Sequence, residues 1–300
     1  MASERTTEIL TRLRGAGDAV GIAAIGDLAD AAETLGDDVA AYARLSLTDR
    51  MRMAVLCQWP ANPDTAAAVR AMHAQIGNPI QAQTLPALLD RPAKVRFVEL
   101  ETTRHGATPP TVSFHMVGER ALADDIALLS RTTIFQPSAG REVTALSELL
   151  GRSSSDLFID RAEPNAANQW LFRFRRGNGA GGELEETVRL ALALMERLHV
   201  TAEQRLLFER LHPRLARGET VLVSIVSVFD CALPWVTVQY PDLPWELLVP
   251  TMIELYGNEW GERLGAFAGA FDAEASSAFE LTFRDESPVR SRVSIDSIAP

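Results

Sequence analysis

Residues 169–176 read Gln-Trp-Leu-Phe-Arg-Phe-Arg-Arg, and this stretch decides the fold class. Three large aromatic residues alternate along it with one leucine and two arginines: Trp170, Phe172 and Phe174 against Leu171, Arg173 and Arg175. Successive side chains of a β-strand point to opposite faces, so the alternation predicts a strand with one apolar and one largely polar face. Apolar residues at helical spacing follow at 183–199 and predict a helix after this strand.

The same alternation recurs in strands that come in pairs, and each pair is followed by a helix. The predicted pairs are 39–47 with 51–59, 94–102 with 111–117, 156–160 with 169–176, 220–229 with 235–240, and 277–285 with 289–295. Helices are predicted at 4–35, after 64, at 119–130, at 183–199, and from 245 to 256 with a continuation through 267. Repeats therefore start near residues 39, 94, 156, 220 and 277, about 55 to 64 residues apart. This nearly constant period indicates five ββα repeats.

Five such repeats supply ten strands joined by short antiparallel connections. An open sheet of ten strands would have two long unpaired edges, which closure into a barrel removes. Ten strands form a barrel wide enough for a ligand. We therefore expect an α+β fold with a single domain over residues 1–300, a ten-stranded antiparallel β-barrel surrounded by helices, and an N-terminal helical segment over 1–38. An open sheet whose polar face meets water is the alternative.

Composition limits the classes of function. The chain has 300 residues, of which 47% are hydrophobic and 23% charged, as in an ordinary packed protein. Its net charge of −11 argues against a nucleic-acid-binding protein. The two cysteines, Cys57 and Cys231, form neither a disulfide framework nor a zinc motif, which favours a reducing cytoplasm. We expect no signal peptide and no membrane span, since no apolar run of about 18 uncharged residues occurs.

Basic residues recur on the predicted polar face of the strands, which would line the lumen of a barrel. They are Arg52, Lys94, Arg96, Arg173, Arg175, Arg284, Arg290 and Arg292. Guanidinium groups bind phosphate bidentately, and two or three of them neutralise a desolvated diphosphate. The alternative for any single arginine is a place at a barrel mouth in water, or a pairing with Glu99, Glu101 or Glu280.

A glycine-rich stretch at 177–182 follows one strand and precedes one helix, as a dinucleotide-binding loop does. The strand before it carries arginines, whereas the central strand of a Rossmann fold is continuously apolar. No acidic residue ends a second strand about 20 residues later, as that fingerprint requires. We therefore interpret the stretch as a turn. The five histidines lack the spacing of a metal site.

This organisation resembles the soluble bacterial aromatic prenyltransferases of the ABBA (αββα, PT-barrel) family. The resemblance rests on the order of the elements along essentially the whole chain, with residues 156–242 as the best stretch, and not on a short motif. It implies a lumen that binds an allylic diphosphate beside an aromatic acceptor. Basic side chains would hold the diphosphate, aromatic side chains would flank the prenyl cation, and the product would belong to secondary metabolism, including antibiotic biosynthesis.

Individual positions of that family correspond to this sequence only in part. The lumen lysine of the family's last strand corresponds to Arg290 or Arg292. A basic pair of the second repeat corresponds to Pro109-Pro110, and a lumen tyrosine of the fourth corresponds to Phe229. The aspartate of the magnesium-dependent members falls on Ala54. The resemblance therefore implies a metal-independent enzyme with neither a metal site nor a cofactor.

The expected function is transfer of a prenyl group from an allylic diphosphate to an electron-rich aromatic small molecule. Glu280 or His115 would accept the ring proton. The prenyl cation and the acceptor would lie among six further residues: Tyr42, Ser113, Phe229, Trp235, Thr237 and Gln239. Magnesium is possible in such a site but is not expected here.

The expected partners are therefore the allylic diphosphate and the aromatic substrate, without nucleic acid or membrane. We expect a monomer or weak dimer in the cytoplasm. Two alternatives stay open, because a fold does not fix a function. One is an ABBA-barrel relative that has lost diphosphate chemistry and acts as a cyclase or other tailoring enzyme. The other is a non-catalytic small-molecule-binding protein of ββα repeats.

Overall fold

Strand pairs alternate with helices along the part of the chain that the structure describes. The structure is a computed structural model, and it describes residues 43–49, 52–60, 95–103, 111–129, 137–151, 154–160, 169–177, 184–216, 221–227, 235–271, 275–284 and 288–296, together with positions 11, 67 and 70. Those three positions are helical and fall within the helices predicted before and after the first strand pair. The rest of the predicted N-terminal helical segment lies outside the described residues.

The strands within these ranges are β1 (Ala43–Thr48), β2 (Arg52–Pro60), β3 (Val95–Thr103), β4 (Thr111–Ala121), β5 (Ser154–Asp160), β6 (Gln169–Gly177), β7 (Val221–Ser227), β8 (Trp235–Pro244), β9 (Ala275–Phe283) and β10 (Arg290–Asp296). The helices are α1 (Leu122–Leu129), α2 (Pro137–Leu150), α3 (Leu184–Arg197), α4 (Ala202–Leu215), α5 (Trp245–Tyr256) and α6 (Glu259–Phe271). Most strand ends lie within a few residues of their predicted positions, but β4 and β8 end at Ala121 and Pro244 rather than at 117 and 240.

All described strands pair antiparallel, in the order β1-β10-β9-β8-β7-β6-β5-β4-β3-β2. The order is closed, because β1 pairs both with β2 and with β10. The pairing of β4 with β5 has one irregularity, a register shift between Met116 and Arg120. The mixed α+β class is confirmed, and the two strands predicted for each repeat pair with each other.

Alternate strand positions form two faces with opposite character. Glu280 on β9 pairs with Gln239 on β8 and with Arg292 on β10, so these three residues share one face, which we call the polar face. Their chain neighbours lie on the other face, which we call the apolar face. There, Leu281 and Val293 have no exposed surface.

The helices pack against the apolar face. Phe208 of α4 meets Phe283 of β9 edge to face, with ring centroids 5.8 Å apart. The Tyr256 hydroxyl of α5 donates a hydrogen bond to the carbonyl of Val289, just before β10, at 3.1 Å. The core thus lies between strands and helices, where burial of apolar surface drives the packing. The polar face is turned away from these helices.

Two helices, α2 and α4, were not predicted, so the second and third strand pairs are each followed by two helices rather than one. The buried stripe of α4 contains Gln204 and His212, and that of α2 contains Gly140 and Ser147. These polar and small residues obscure the helical period of apolar residues. The sequence does contain a signal for the start of α4. Thr201 caps this helix by accepting a hydrogen bond from the N–H of Gln204 at 3.3 Å. Thr-x-x-Gln is a capping-box sequence.

The helix predicted to continue from residue 245 through residue 267 is in fact two helices. Gly257 ends α5 with a φ of 95°, and its N–H donates to the carbonyl of Ile253 at 2.8 Å. Glycine adopts a positive φ without steric cost, so it stops a helix at this position. In the part of the chain that the structure describes, no helix is both long enough and apolar enough to cross a membrane.

Candidate active site

Strand β10 presents two arginines on the polar face. Arg290 and Arg292 are half-buried there, whereas Val289, Ser291 and Val293 between and beside them are buried on the apolar face. Residues two positions apart on one strand are about 6.6 Å apart. The alternation therefore places two guanidinium-bearing residues side by side on one surface.

A row of polar residues crosses the neighbouring strands at the level of Arg292. Arg292 pairs with Thr48 on β1 and with Glu280 on β9, and Glu280 pairs in turn with Gln239 on β8. Directly paired residues have Cβ atoms about 5 Å apart. Glu280 is half-buried and stands between an arginine and an amide, so this row brings a carboxylate next to a guanidinium-bearing position.

A second row lies at the level of Arg290, which pairs with Thr282 on β9. The Oγ1 atoms of Thr282 and Thr237 are 2.8 Å apart, and the two residues also pair across β8 and β9. Thr237 is buried, as is Gln239. These hydroxyls give the polar face neutral hydrogen-bonding groups beside its arginines.

Two further predicted arginines lie close to the pair on β10. Leu47 pairs with Met53 where β1 meets β2, which puts Arg52 beside Thr48 and therefore two strands from Arg292, with β1 between them. Arg284 follows directly after Phe283 of β9 and is half-buried. Arg52, Arg284, Arg290 and Arg292 therefore lie within or directly after the four successive strands β2, β1, β10 and β9, and we call them the β10 arginine group.

The two predicted bases on β6 lie further away in the strand order. Arg173 pairs with Asp156 on β5 and Ile225 on β7, and Arg175 pairs with Val223. Both positions continue the polar face, but β6 is four strands away from β10 in the closed order. Along the strand order, Arg173 and Arg175 are therefore separated from the β10 arginine group.

The prediction that Arg96 lies on the polar face is wrong. Arg96 pairs with Trp59 and Met116. It therefore lies on the opposite face of β3 from Glu99 and Glu101. A shift of one residue moves a strand position to the opposite face, so the prediction was out by one position. Lys94, Tyr42 and Phe229 lie outside the described residues.

The two predicted proton acceptors lie far apart on the strand order. Glu280 belongs to β9, next to the β10 arginine group. His115 pairs with Phe97 and Phe158 on β3 and β5, five strands from β9, and Ser113 pairs with Glu99 on the same side. Trp235 pairs with Ile225 at the start of β8, on the same face as Thr237. Glu280 is therefore the predicted acceptor that adjoins the arginines.

A buried polar pair, which was not predicted from the sequence, lies behind β8. His212 of α4 is 1% exposed, and its Nδ1 lies 3.0 Å from the hydroxyl of Tyr240. Burial lowers the pKa of His212 to about 4 and raises the pKa of Tyr240, so both groups are neutral at neutral pH. The pair lies on the apolar face and therefore serves packing. The alternation in β8 does signal that Tyr240 faces away from Gln239.

Among the residues that the structure describes, no cluster of three or more histidine, cysteine, aspartate or glutamate residues could hold a metal ion. Ala54, at the position that the resemblance assigns to an aspartate, pairs with Ser46 and with Glu101.

Comparison with solved structures extends over almost the whole chain. The 5-dimethylallyltryptophan synthase from Streptomyces coelicolor matches with a TM-score of 0.69 at 15% identity, covering 99% of this chain and 98% of the other. The prenyltransferase PriB, in ternary complex with L-tryptophan and dimethylallyl thiolodiphosphate, matches with a TM-score of 0.66 at 15% identity, covering 97% and 96%.

A 6-dimethylallyltryptophan synthase from Micromonospora olivasterospora also matches, with a TM-score of 0.65 at 10% identity and 97% coverage of both chains. No protein-family model and no curated protein matches the sequence. At such low identities the likeness is one of fold. It confirms the resemblance drawn from the order of the elements: the chain has the fold of the aromatic prenyltransferases.

Proposed function

We propose that this protein is an aromatic prenyltransferase that moves a prenyl group from an allylic diphosphate to an electron-rich aromatic acceptor. The observation that carries the proposal is the β10 arginine group beside Glu280 on the polar face, within a fold shared with dimethylallyltryptophan synthases. The closed strand order would form one ten-stranded barrel over residues 1–300, with the polar face lining its lumen. The protein would act in the cytoplasm as a monomer or weak dimer.

The β10 arginine group would bind the diphosphate of the donor. Cleavage of the allylic carbon–oxygen bond leaves both bonding electrons on the diphosphate and a cation on the prenyl carbon. Guanidinium groups that are already in place stabilise the departing charge through charge-assisted hydrogen bonds. Because they supply this neutralisation, the reaction as we propose it needs no metal.

The acceptor would lie between the arginines and β8. Its ring attacks the prenyl carbon, a carbon–carbon bond forms, and the ring proton passes to the Glu280 carboxylate. Gln239 and Thr237 would orient the acceptor, and Trp235 would flank the cation. Dimethylallyl diphosphate and tryptophan are the first substrates to test, since PriB and the Micromonospora synthase are known in complexes with tryptophan and a dimethylallyl donor analogue.

Calorimetric titration with dimethylallyl thiolodiphosphate tests the proposal. The unmodified protein should bind it, and Arg292→Ala should weaken binding roughly 10- to 150-fold, the value of one charge-assisted contact. Arg197→Ala is the matched control, because Arg197 lies on the surface of α3 and pairs with Glu142 at 3.0 Å. It should bind as the unmodified protein does. Arg173→Ala, on β6, should weaken binding less than Arg292→Ala.

Turnover provides the second readout. Diphosphate should be released when the protein is mixed with dimethylallyl diphosphate and an aromatic acceptor. A flat titration with the unmodified protein would remove the transferase proposal. If apolar aromatic ligands still bound in that case, the result would favour a cyclase or a non-catalytic binding protein.

A further inference from the structure

We propose that Tyr256, on the outer helix α5, is a positioning residue that holds the start of β10 so that Arg290 and Arg292 face the diphosphate. The inference rests on the proposed function, because it assigns Tyr256 to the same site. Tyr256 does not belong to the polar face, and the resemblance to prenyltransferases assigned it no role.

The contact between Tyr256 and β10 is direct. Its hydroxyl donates to the carbonyl of Val289 at 3.1 Å, and Val289 is the residue immediately before Arg290, where β10 begins. The ring of Tyr256 is itself supported by Trp260 of α6, with centroids 5.7 Å apart, and Trp260 is 4% exposed. The helix pair α5–α6 thus fixes the carbonyl at the entrance to the strand.

Two further contacts hold Ser291, the next residue of β10 on the apolar face. The Ser291 hydroxyl donates to the sulfur of Met252, also on α5, at 3.4 Å. The backbone N–H of Asp49, in the turn after β1, donates to the Ser291 carbonyl at 3.1 Å. Together with Tyr256, these contacts anchor positions 289 and 291 from outside. Because side chains alternate along a strand, the same anchors set the direction of Arg290 and Arg292.

The Tyr256 hydroxyl is suited to this role because it stays protonated. Burial and the nearby charge of Asp49 raise the pKa of Tyr256, and these outweigh the opposing influence of the Ser291 hydroxyl. A protonated phenol can donate to a carbonyl throughout the physiological pH range.

Loss of the hydroxyl should therefore affect the site more than the fold. Without the hydrogen bond, the first residues of β10 sample more positions, and ordering the arginines at binding costs part of the affinity. Phenylalanine keeps the buried ring and its packing. The expected change is thus a weaker diphosphate affinity, without a change in the groups that contact it.

The test compares Tyr256→Phe with Tyr240→Phe, using calorimetric titration with inorganic diphosphate and thermal unfolding. Tyr240→Phe is the matched control, because it also removes one buried tyrosine hydroxyl, but from β8 rather than from the start of β10. Tyr256→Phe should bind diphosphate roughly 3- to 10-fold more weakly than the unmodified protein, and Tyr240→Phe should bind as the unmodified protein does. In turnover, the KM for the allylic diphosphate should rise in Tyr256→Phe while the KM for the acceptor stays unchanged.

The outcomes separate this inference from the proposed function. No diphosphate binding by the unmodified protein would overturn both. If Tyr256→Phe bound diphosphate as strongly as the unmodified protein does, the positioning role alone would be overturned. The same would follow if the two tyrosine variants bound diphosphate equally weakly. If Tyr256→Phe did not fold, Ser291→Ala would test the same anchor, and an unchanged diphosphate affinity in it would overturn the inference.

Discussion

At the scale of single residues, burial decides which groups can carry a charge, and His212 shows the consequence for stability. Its pKa falls from the ordinary value of 6.5 to about 4 on folding. Between these values the unfolded chain binds more protons than the folded one, so the free energy of unfolding decreases as the pH is lowered. By about pH 4 the loss should reach on the order of 2–3 kcal/mol. Urea unfolding between pH 7 and pH 4.5 measures it.

The matched controls for this prediction are two histidine variants. His212→Gln should flatten the pH dependence, because it removes the buried group that gains a proton on unfolding. His199→Asn should keep the pH dependence of the unmodified protein, since His199 is exposed. Asparagine also tolerates its φ of 55°. An equal slope in His212→Gln and the unmodified protein would contradict the assignment.

Single residues also show where prediction from sequence reaches its limit. The alternation in β10 correctly separated Arg290 and Arg292 from Val293, because a strand's period of two is fixed by its backbone. Arg96 was misplaced, because one residue of uncertainty at a strand start reverses the face. The pair of His212 and Tyr240 could not be predicted at all, since it depends on how α4 packs on β8.

At the scale of elements, the close approach of α5 and α6 gives a testable contrast between two glycines of one helix. A Cβ on Gly261 would lie 2.7 Å from Cδ1 of Ile253 on α5, whereas a Cβ on Gly265 meets nothing within 4 Å. Gly265→Ala should therefore stabilise the protein by about 0.5–1 kcal/mol, the difference in helix propensity. Gly261→Ala should gain less or lose stability, because the Ile253 side chain must move. Thermal or urea unfolding compares the two, and equal gains would contradict the close packing.

Elements differ in how well sequence predicts them. Strand pairs were predictable because their residues alternate between apolar and polar, which leaves a period of two in the sequence. Helix α3 was predictable for the corresponding reason, since Leu190, Ala191 and Leu194 form part of an apolar stripe. Helix α4 was missed because its buried face uses Gln204 and His212, which a period of apolar residues does not include.

At the scale of the whole molecule, strand closure gathers residues that are distant in sequence. Arg52 and Arg292 are 240 positions apart in the sequence, and the pairing of β1 with both β2 and β10 places them only two strands apart on the polar face. The repeat period predicted the order of the elements and the alternation predicted the faces. The division of the basic residues between β10 and β6 depends on the relative register of all the strands between them, which the sequence does not specify locally.

The whole polar face also bears on the need for a metal. A magnesium ion in a diphosphate site is held by one or two carboxylates together with the phosphates. Here, Ala54 occupies the position of the aspartate that the resemblance assigns to magnesium-dependent members, and under the proposed function the arginines of β10 and β2 would neutralise the diphosphate instead. We therefore expect turnover to be unchanged in excess EDTA.

The matched variant for this prediction is Ala54→Asp. Ala54 pairs with Glu101, so an added carboxylate would stand directly beside an existing one on the same face. In this variant, the affinity for diphosphate should increase when magnesium is added, whereas that of the unmodified protein should not. Loss of turnover by the unmodified protein in EDTA, restored by magnesium, would contradict the prediction. It would show that Glu101 or another carboxylate already holds the ion, and that arginines alone do not neutralise the leaving group.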